Sequence, residues 1–241
     1  MFTVKILGLA LLMACGARAQ FISVGGNGQP GYSSPTPALI QQVAATSGNC
    51  SQHVAGTYTC VLPSSPTAPN VLIYTNISQS GVTSGFTQVP SSTGAAWSLA
   101  GNAFQNTIMF ETWCATLSGS PSGTVTITPS SGTANNALGT VAEFSGTTCT
   151  VDGALTGKTG SSSTSSTATL MTANAKDVLI AFTGASGTLS SGPTNSFAEF
   201  TRAGGSEGIA YLITSAAGSY STAWTWSASG AWASSIVAFE N

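Results

Sequence analysis

Charge is what this 241-residue chain most lacks. Asp, Glu, Lys and Arg make up 5% of it, against roughly 25% in an ordinary globular protein. Nucleic acid is thereby excluded as a partner, because neutralising a phosphate backbone takes clustered Lys and Arg. Beyond the first 19 residues only Lys158, Lys176 and Arg202 are cationic, facing seven acidic side chains for a net of −4. Imidazole is nearly absent, His53 being the single histidine. The clearest apolar run spans nine residues, 6–14, whereas a membrane-spanning helix takes about 20. Helix formers are too scarce for a coiled coil. No Cys-x-x-Cys spacing occurs, so zinc lacks its usual ligands, and neither a metal nor another cofactor is expected. What is abundant is Ser, Thr, Gly, Val and aromatics, a composition that favours short strands joined by turns.

The start of the chain reads as an export leader over 1–19. Lys5 precedes the apolar run, and Ala17-Arg18-Ala19 supplies the small-x-small pattern of a cleavage site. The mature chain would begin at Gln20 and be extracellular. Leu12-Met13-Ala14-Cys15-Gly16 resembles a lipobox, which would leave the chain lipid-anchored at Cys15 instead. Either route leaves Cys50, Cys60, Cys114 and Cys149, an even number in an oxidising compartment. Cys50 and Cys60 flank a predicted turn, and Cys114 and Cys149 each follow an apolar strand. The expected bridges are therefore Cys50–Cys60 and Cys114–Cys149.

Residues 20–37 read as an extended Gly/Pro-rich arm. From residue 38, apolar runs of strand length alternate with Ser/Thr/Gly/Pro turns, as in a sandwich or barrel. Strands are expected at 38–45, 54–62, 70–77, 85–89, 95–99, 106–114, 123–128, 138–145, 167–171, 176–183, 196–201, 207–213, 219–226 and 232–240. The low-complexity tract at 161–166 reads as a mobile surface loop. The chain also echoes itself. Pro69-Asn70-Val71-Leu72-Ile73 is repeated by Asp177-Val178-Leu179-Ile180, and Val141-Ala142-Glu143-Phe144 by Val237-Ala238-Phe239-Glu240. Two similar halves, about 38–150 and 167–241, would each leave an apolar face uncovered. Laying one sheet on the other makes residues 38–241 a single all-β domain, an antiparallel two-sheet jelly-roll sandwich.

The segments Ala38-Leu39-Ile40-Gln41-Gln42, Pro69-Asn70-Val71-Leu72-Ile73, Val141-Ala142-Glu143-Phe144-Ser145-Gly146 and the closing Ala217-Gly218-Ser219-Tyr220 to Ala238-Phe239 carry a resemblance. They look like secreted bacterial and phage-associated domains with a concanavalin-like jelly roll. The resemblance implies that fold, an extracellular setting, and a role in adhesion or glycan contact.

Catalytic motifs are weak. Gly26-Asn27-Gly28-Gln29-Pro30-Gly31 matches a dinucleotide fingerprint, but no strand precedes it and Pro30 stands where a helix would start. Gly204-Gly205-Ser206-Glu207-Gly208 matches a nucleophile elbow, yet the only imidazole lies far upstream of Ser206. A glycosidase would need two carboxylates facing each other about 5–10 Å apart. Glu111 and Glu143 are the candidates, with Glu199 and Glu207 also in or beside strands. The internal echo aligns Glu143 with Phe239, which would turn it inward. Calcium is not predicted, because Asp152 and Asp177 are the only aspartates. Asn49-Cys50-Ser51 and Asn76-Ile77-Ser78 fit the glycosylation sequon.

Aromatics offer a different chemistry, since a flat ring with a polar edge suits the C–H face of a sugar. Tyr220, Trp224 and Trp226 share one face of a strand and read as core; Trp97 and Trp113, beside polar residues near strand ends, read as ligand-binding. The chain is thus expected to be a non-catalytic module for adhesion, or for binding a polysaccharide or a cell-surface partner. A structural subunit of a cell-surface or virion assembly, self-associating through edge strands that lack charged guards, is the alternative. A hydrolase using Glu111 and Glu143 is a third.

Overall fold

The computed structural model describes residues 35–44, 49–52, 56–79, 82–130, 136–200 and 205–241. The expected leader, Cys15, His53, and the arm up to residue 34 lie outside them. Among the described residues every regular element is a strand: β1 (Ala38–Ala44), β2 (Ser51–Gln52), β3 (Tyr58–Val61), β4 (Val71–Gln79), β5 (Gln88–Ser91), β6 (Ala95–Gln105), β7 (Ile108–Leu117), β8 (Thr124–Pro129), β9 (Asn136–Ser145), β10 (Val151–Ser166), β11 (Leu170–Thr172), β12 (Val178–Ala185), β13 (Leu189–Ser191), β14 (Ala198–Glu199), β15 (Glu207–Ile213), β16 (Gly218–Tyr220) and β17 (Ala223–Phe239). The antiparallel all-β sandwich expected from the sequence is what forms.

One large sheet has the order β1-β9-β4-β7-β6 and comes wholly from the first half of the chain; the other, β10-β17-β12-β15-β14, comes wholly from the second. Numbered within its own half, each sheet runs first, fifth, second, fourth, third. The echo seen in the sequence is therefore a repeat of topology. Intervening strands form two small sheets, β3-β8-β5 and β11-β16. Within each half the chain passes repeatedly between large and small sheet, which is jelly-roll connectivity.

Side-chain alternation shows how the layers stack. Val71, Ile73 and Ile77 of β4 join Val178, Ile180 and Phe182 of β12 in a core between the two large sheets. Leu72 and Tyr74, on the other face of β4, join Cys60, Leu62, Val125 and Ile127 beneath the first small sheet. Leu179 and Ala181 of β12 likewise pack with Trp224, Trp226 and Trp232 on the outer side of the second half. A strand between two apolar layers must be apolar at every position. That explains the unbroken runs Val71-Leu72-Ile73-Tyr74 and Val178-Leu179-Ile180-Ala181-Phe182, where a half-exposed strand would alternate. Across the central core Phe110 meets Phe182 with ring centroids 5.1 Å apart, and Phe144 meets Tyr211 at 5.7 Å.

Both expected disulfides form. Cys149 lies in the segment joining the halves, so its bridge to Cys114 of β7 ties that connection to the central core. Beside it the Thr148 amide donates to Glu240 O at 2.8 Å, and the Glu240 amide donates to Thr150 O at 2.9 Å.

Three expectations are corrected. The tract at 161–166 is not a loop: it belongs to β10, paired with β17 from Val151 to Ser166. The second half accordingly begins at Val151, not at residue 167, and the strands expected at 219–226 and 232–240 merge largely into β17. What holds the polar tract is tertiary. Ser165 is buried and accepts from Thr183 Oγ1 at 3.0 Å, and Ser162 Oγ accepts the Trp232 indole N–H at 3.0 Å. Gly160 is required beneath that indole, because a Cβ there would lie 2.3 Å from the ring. Finally, the register pairs Val71 with Phe144 and Val178 with Phe239. Phe144 is thus the counterpart of Phe239, and Glu143 that of Ala238. The sequence alignment was one residue out, which in a strand exchanges the faces.

Candidate functional site

The carboxylates settle into separate structural settings. Glu143 is 1% exposed, and its two oxygens accept from Gln41 Nε2 at 2.6 Å, Asn70 Nδ2 at 2.6 Å and the Thr67 amide at 2.8 Å. It clamps the loop before β4 onto β1 and β9. Glu111 is fully buried; its Oε2 accepts the Gln88 amide at 2.8 Å and Asn76 Nδ2 at 3.5 Å. The Trp113 indole N–H also faces this carboxyl, outside ordinary hydrogen-bond geometry. Burial pushes Glu111 up to about 7, and these donors only partly offset it.

Both acids project beneath the first small sheet, but they are not a pair. Glu111 stands opposite Asn76 and Glu143 opposite Leu72, on the two strands flanking β4. Four residues along β4 and two strand spacings across put them roughly 16 Å apart, beyond the span of a glycosidase pair.

Elsewhere, Glu207 is nearly buried and accepts from Gln79 Nε2 across the halves at 2.7 Å. Ser206, beside it, leads into strand β15, where a nucleophile elbow would need a helix. Asp177 is buried and faces Asp152. Burial, the Asp152 carboxylate and then Glu240 raise Asp177 to about 7, partly offset by the Asn241 amide. Slight burial works the other way on Asp152, but hydrogen bonding to Asp177 and to the Asn174 and Ala173 amides holds it below its ordinary value. Asp177 therefore holds its proton more tightly than Asp152 does. Among the described residues no group of three or more His, Cys, Asp or Glu is placed to hold a metal ion. Asn76 is buried against Glu111, so its sequon is closed to modification.

Trp97 and Trp113 are brought together. In the β6–β7 ladder Trp113 pairs with Leu99 and Trp97 with Ala115, so the two indoles are diagonal neighbours on one face, within reach of each other. Both are half-buried against the core under the first small sheet, while Leu99 between them is 41% exposed. The three make an apolar shelf near the sheet edge. Trp97 Nε1 donates to Ser92 Oγ at 3.2 Å, and Ser92 belongs to a groove of about 530 Å³ lined by Ser91, Ser92, Thr93, Ser122, Thr124 and Thr126. No ionisable side chain lines it.

The hydroxyl groove was missed from sequence. Its signal was the alternation Thr124-Val125-Thr126-Ile127, with the threonines facing outward and Val125 and Ile127 buried. The groove presents hydroxyls for hydrogen bonding, and the Trp97 indole reaches it through Ser92. Comparison with known protein families, with characterised proteins and with solved structures finds no match to this chain. Among the described residues no helix is long and apolar enough to cross a membrane.

Proposed function

We propose that this chain is an extracellular, non-catalytic β-sandwich module that binds neutral glycan or a similar uncharged surface. The observation that carries the reading is a groove lined only by hydroxyls, one of which, Ser92, holds the indole of Trp97 beside the exposed Leu99. A pyranose ring has the same division, an apolar C–H face and a hydroxyl edge. The export leader, the two disulfides and the resemblance to secreted jelly-roll domains support the extracellular setting. Glycoside hydrolysis is not proposed, since Glu111 and Glu143 stand too far apart for it.

The test is binding of the exported chain to neutral polysaccharides at low and high salt. Affinity should barely change with salt, because no charge pair is formed. Trp97→Ala should weaken binding by about tenfold or more, the loss of one stacked ring, with the melting temperature within a few degrees. Steep salt dependence, or wild-type affinity in Trp97→Ala, refutes the reading.

A second reading, a self-associating surface subunit, is favoured by edge strands β1 and β6. They carry no charged residue and expose Ile40 at 53%, Leu99 at 41% and Phe104 at 39%. Such edges invite strand addition. Concentration-dependent assembly without glycan binding would establish it over the first.

A further inference from the structure

The second half carries a cleft of its own, about 450 Å³, between the turn after β13 and the strands β15 and β16. Its lining includes Asn195, Ser196, Leu212, Thr214, Ser219 and Tyr220, and no Asp, Glu, Lys, Arg or His contributes to it. One wall is apolar: Leu212 and Tyr220 are half-buried and pack on the outer core of this half. Tyr220 is also held at its edge, where its hydroxyl donates to Ala216 O at 2.5 Å. Its ring is thus oriented before any ligand arrives.

The opposite rim is polar and equally fixed. Asn195 and Ser196 have φ of 57° and 63°, two successive non-glycine residues in the left-handed region, an arrangement that persists only where its surroundings impose it. Here they do. Asn195 Nδ2 donates to Ser221 O at 2.8 Å, and Thr194 next to it exchanges three hydrogen bonds of 2.9–3.0 Å with Thr222 and Ala223. The turn is pinned to the segment that carries Tyr220, and Asn195 and Ser196 face the ring across the cleft.

The repeat gives this cleft a counterpart. In chain order β13 and β16 hold the places in the second half that β5 and β8 hold in the first. The Ser92 groove is built from the end of β5 and from β8; the Tyr220 cleft uses the segment after β13 and β16.

We propose that the cleft between Tyr220 and the Asn195-Ser196 turn is a second saccharide site, taking one neutral pyranoside unit with its C–H face on Tyr220 and its hydroxyls toward Asn195 and Ser196. This rests on the reading of the chain as a binder of neutral glycan and adds that each half contributes one site. Two sites on one chain favour a polymer over a short oligosaccharide through effective concentration.

Titration calorimetry of the full exported chain with β-1,4-linked glucose and β-1,4-linked N-acetylglucosamine hexasaccharides tests it. One probe should bind the wild type with a stoichiometry of two. Tyr220→Ala should leave a single site of unchanged affinity, and Tyr220→Phe, which keeps the ring, should retain both. Tyr220→Leu, which keeps apolar bulk against the outer core but removes the aromatic face, should also leave one site, and it serves if Tyr220→Ala fails to fold. A wild-type stoichiometry of one that Trp97→Ala abolishes and Tyr220→Ala leaves unchanged overturns the cleft and keeps the module's function. A single site abolished by Tyr220→Ala alone keeps the cleft and overturns the Trp97 groove. No binding of either probe overturns both.

Discussion

Replacing Glu111 with Gln should make the protein more stable above neutral pH. The side chain is fully buried between the first large sheet and its small sheet, with a carboxyl pushed up to about 7 by that burial. In the unfolded chain it titrates near 4.5, so the folded state holds the proton more tightly. Its stabilising contribution is complete below about pH 4.5 and is lost as the pH rises through about 7, amounting to about 3 kcal/mol between those limits. For a domain of this size that corresponds to about 6–12 °C in melting temperature. Gln keeps the shape and an oxygen for the Gln88 amide, and it has no proton to lose. Thermal or urea unfolding of wild type and Glu111→Gln from pH 4 to 9 isolates the effect, because every other titrating group cancels in the difference. The curves should converge in acid and separate above pH 7, with the variant the more stable. Trp113 emission should shift near pH 7 in the wild type and stay flat in the variant. Parallel pH profiles for the two proteins would refute the assignment of a raised carboxyl to this site.

Asp177, raised to about 7, behaves in the same sense. Asp177→Asn removes that titrating carboxyl, so melting temperatures at pH 5 and pH 8 should lie closer together than in the wild type; an unchanged gap would refute a raised Asp177 carboxyl. Removing the Cys114–Cys149 bridge, with a sequence separation of 35, should cost about 4 kcal/mol by loop entropy, and removing Cys50–Cys60, with a separation of 10, about 3 kcal/mol. Peptide mapping without reduction identifies the bridges, and denaturation of Ser variants measures the losses; a larger loss for Cys50–Cys60 would contradict that ordering. Trp224, fully buried in the outer core of the second half, should cost about 3–5 kcal/mol when cut to Ala, and a loss below about 1 kcal/mol would remove it from that core.

Much of the architecture is written locally. Unbroken apolar runs such as Val71-Leu72-Ile73-Tyr74 mark strands covered on both faces. Cysteine parity and the placing of Cys50, Cys60, Cys114 and Cys149 on turns and strand ends were sufficient for both bridges. The echo between the halves carried the repeat, because both copies meet the same burial demand at the same strand positions. Other features depend on partners distant in the chain. Residues 161–166 have no apolar pattern, and they become a strand only because β17 offers backbone partners and Trp232 covers Gly160. Glu143 and Glu111 look alike in sequence, each a lone acid in an apolar strand. One receives three donors from β1 and the loop before β4, and the other is left in a poorly compensated site with a raised affinity for its proton. The facing of Glu143 could not be read from the echo, since a one-residue slip leaves composition almost unchanged while exchanging the two sides of a strand. The grooves beside Trp97 and Tyr220 are likewise tertiary. Their walls come from segments tens of residues apart, and Ser and Thr are so common in this chain that no local signal separates those lining a groove from the rest.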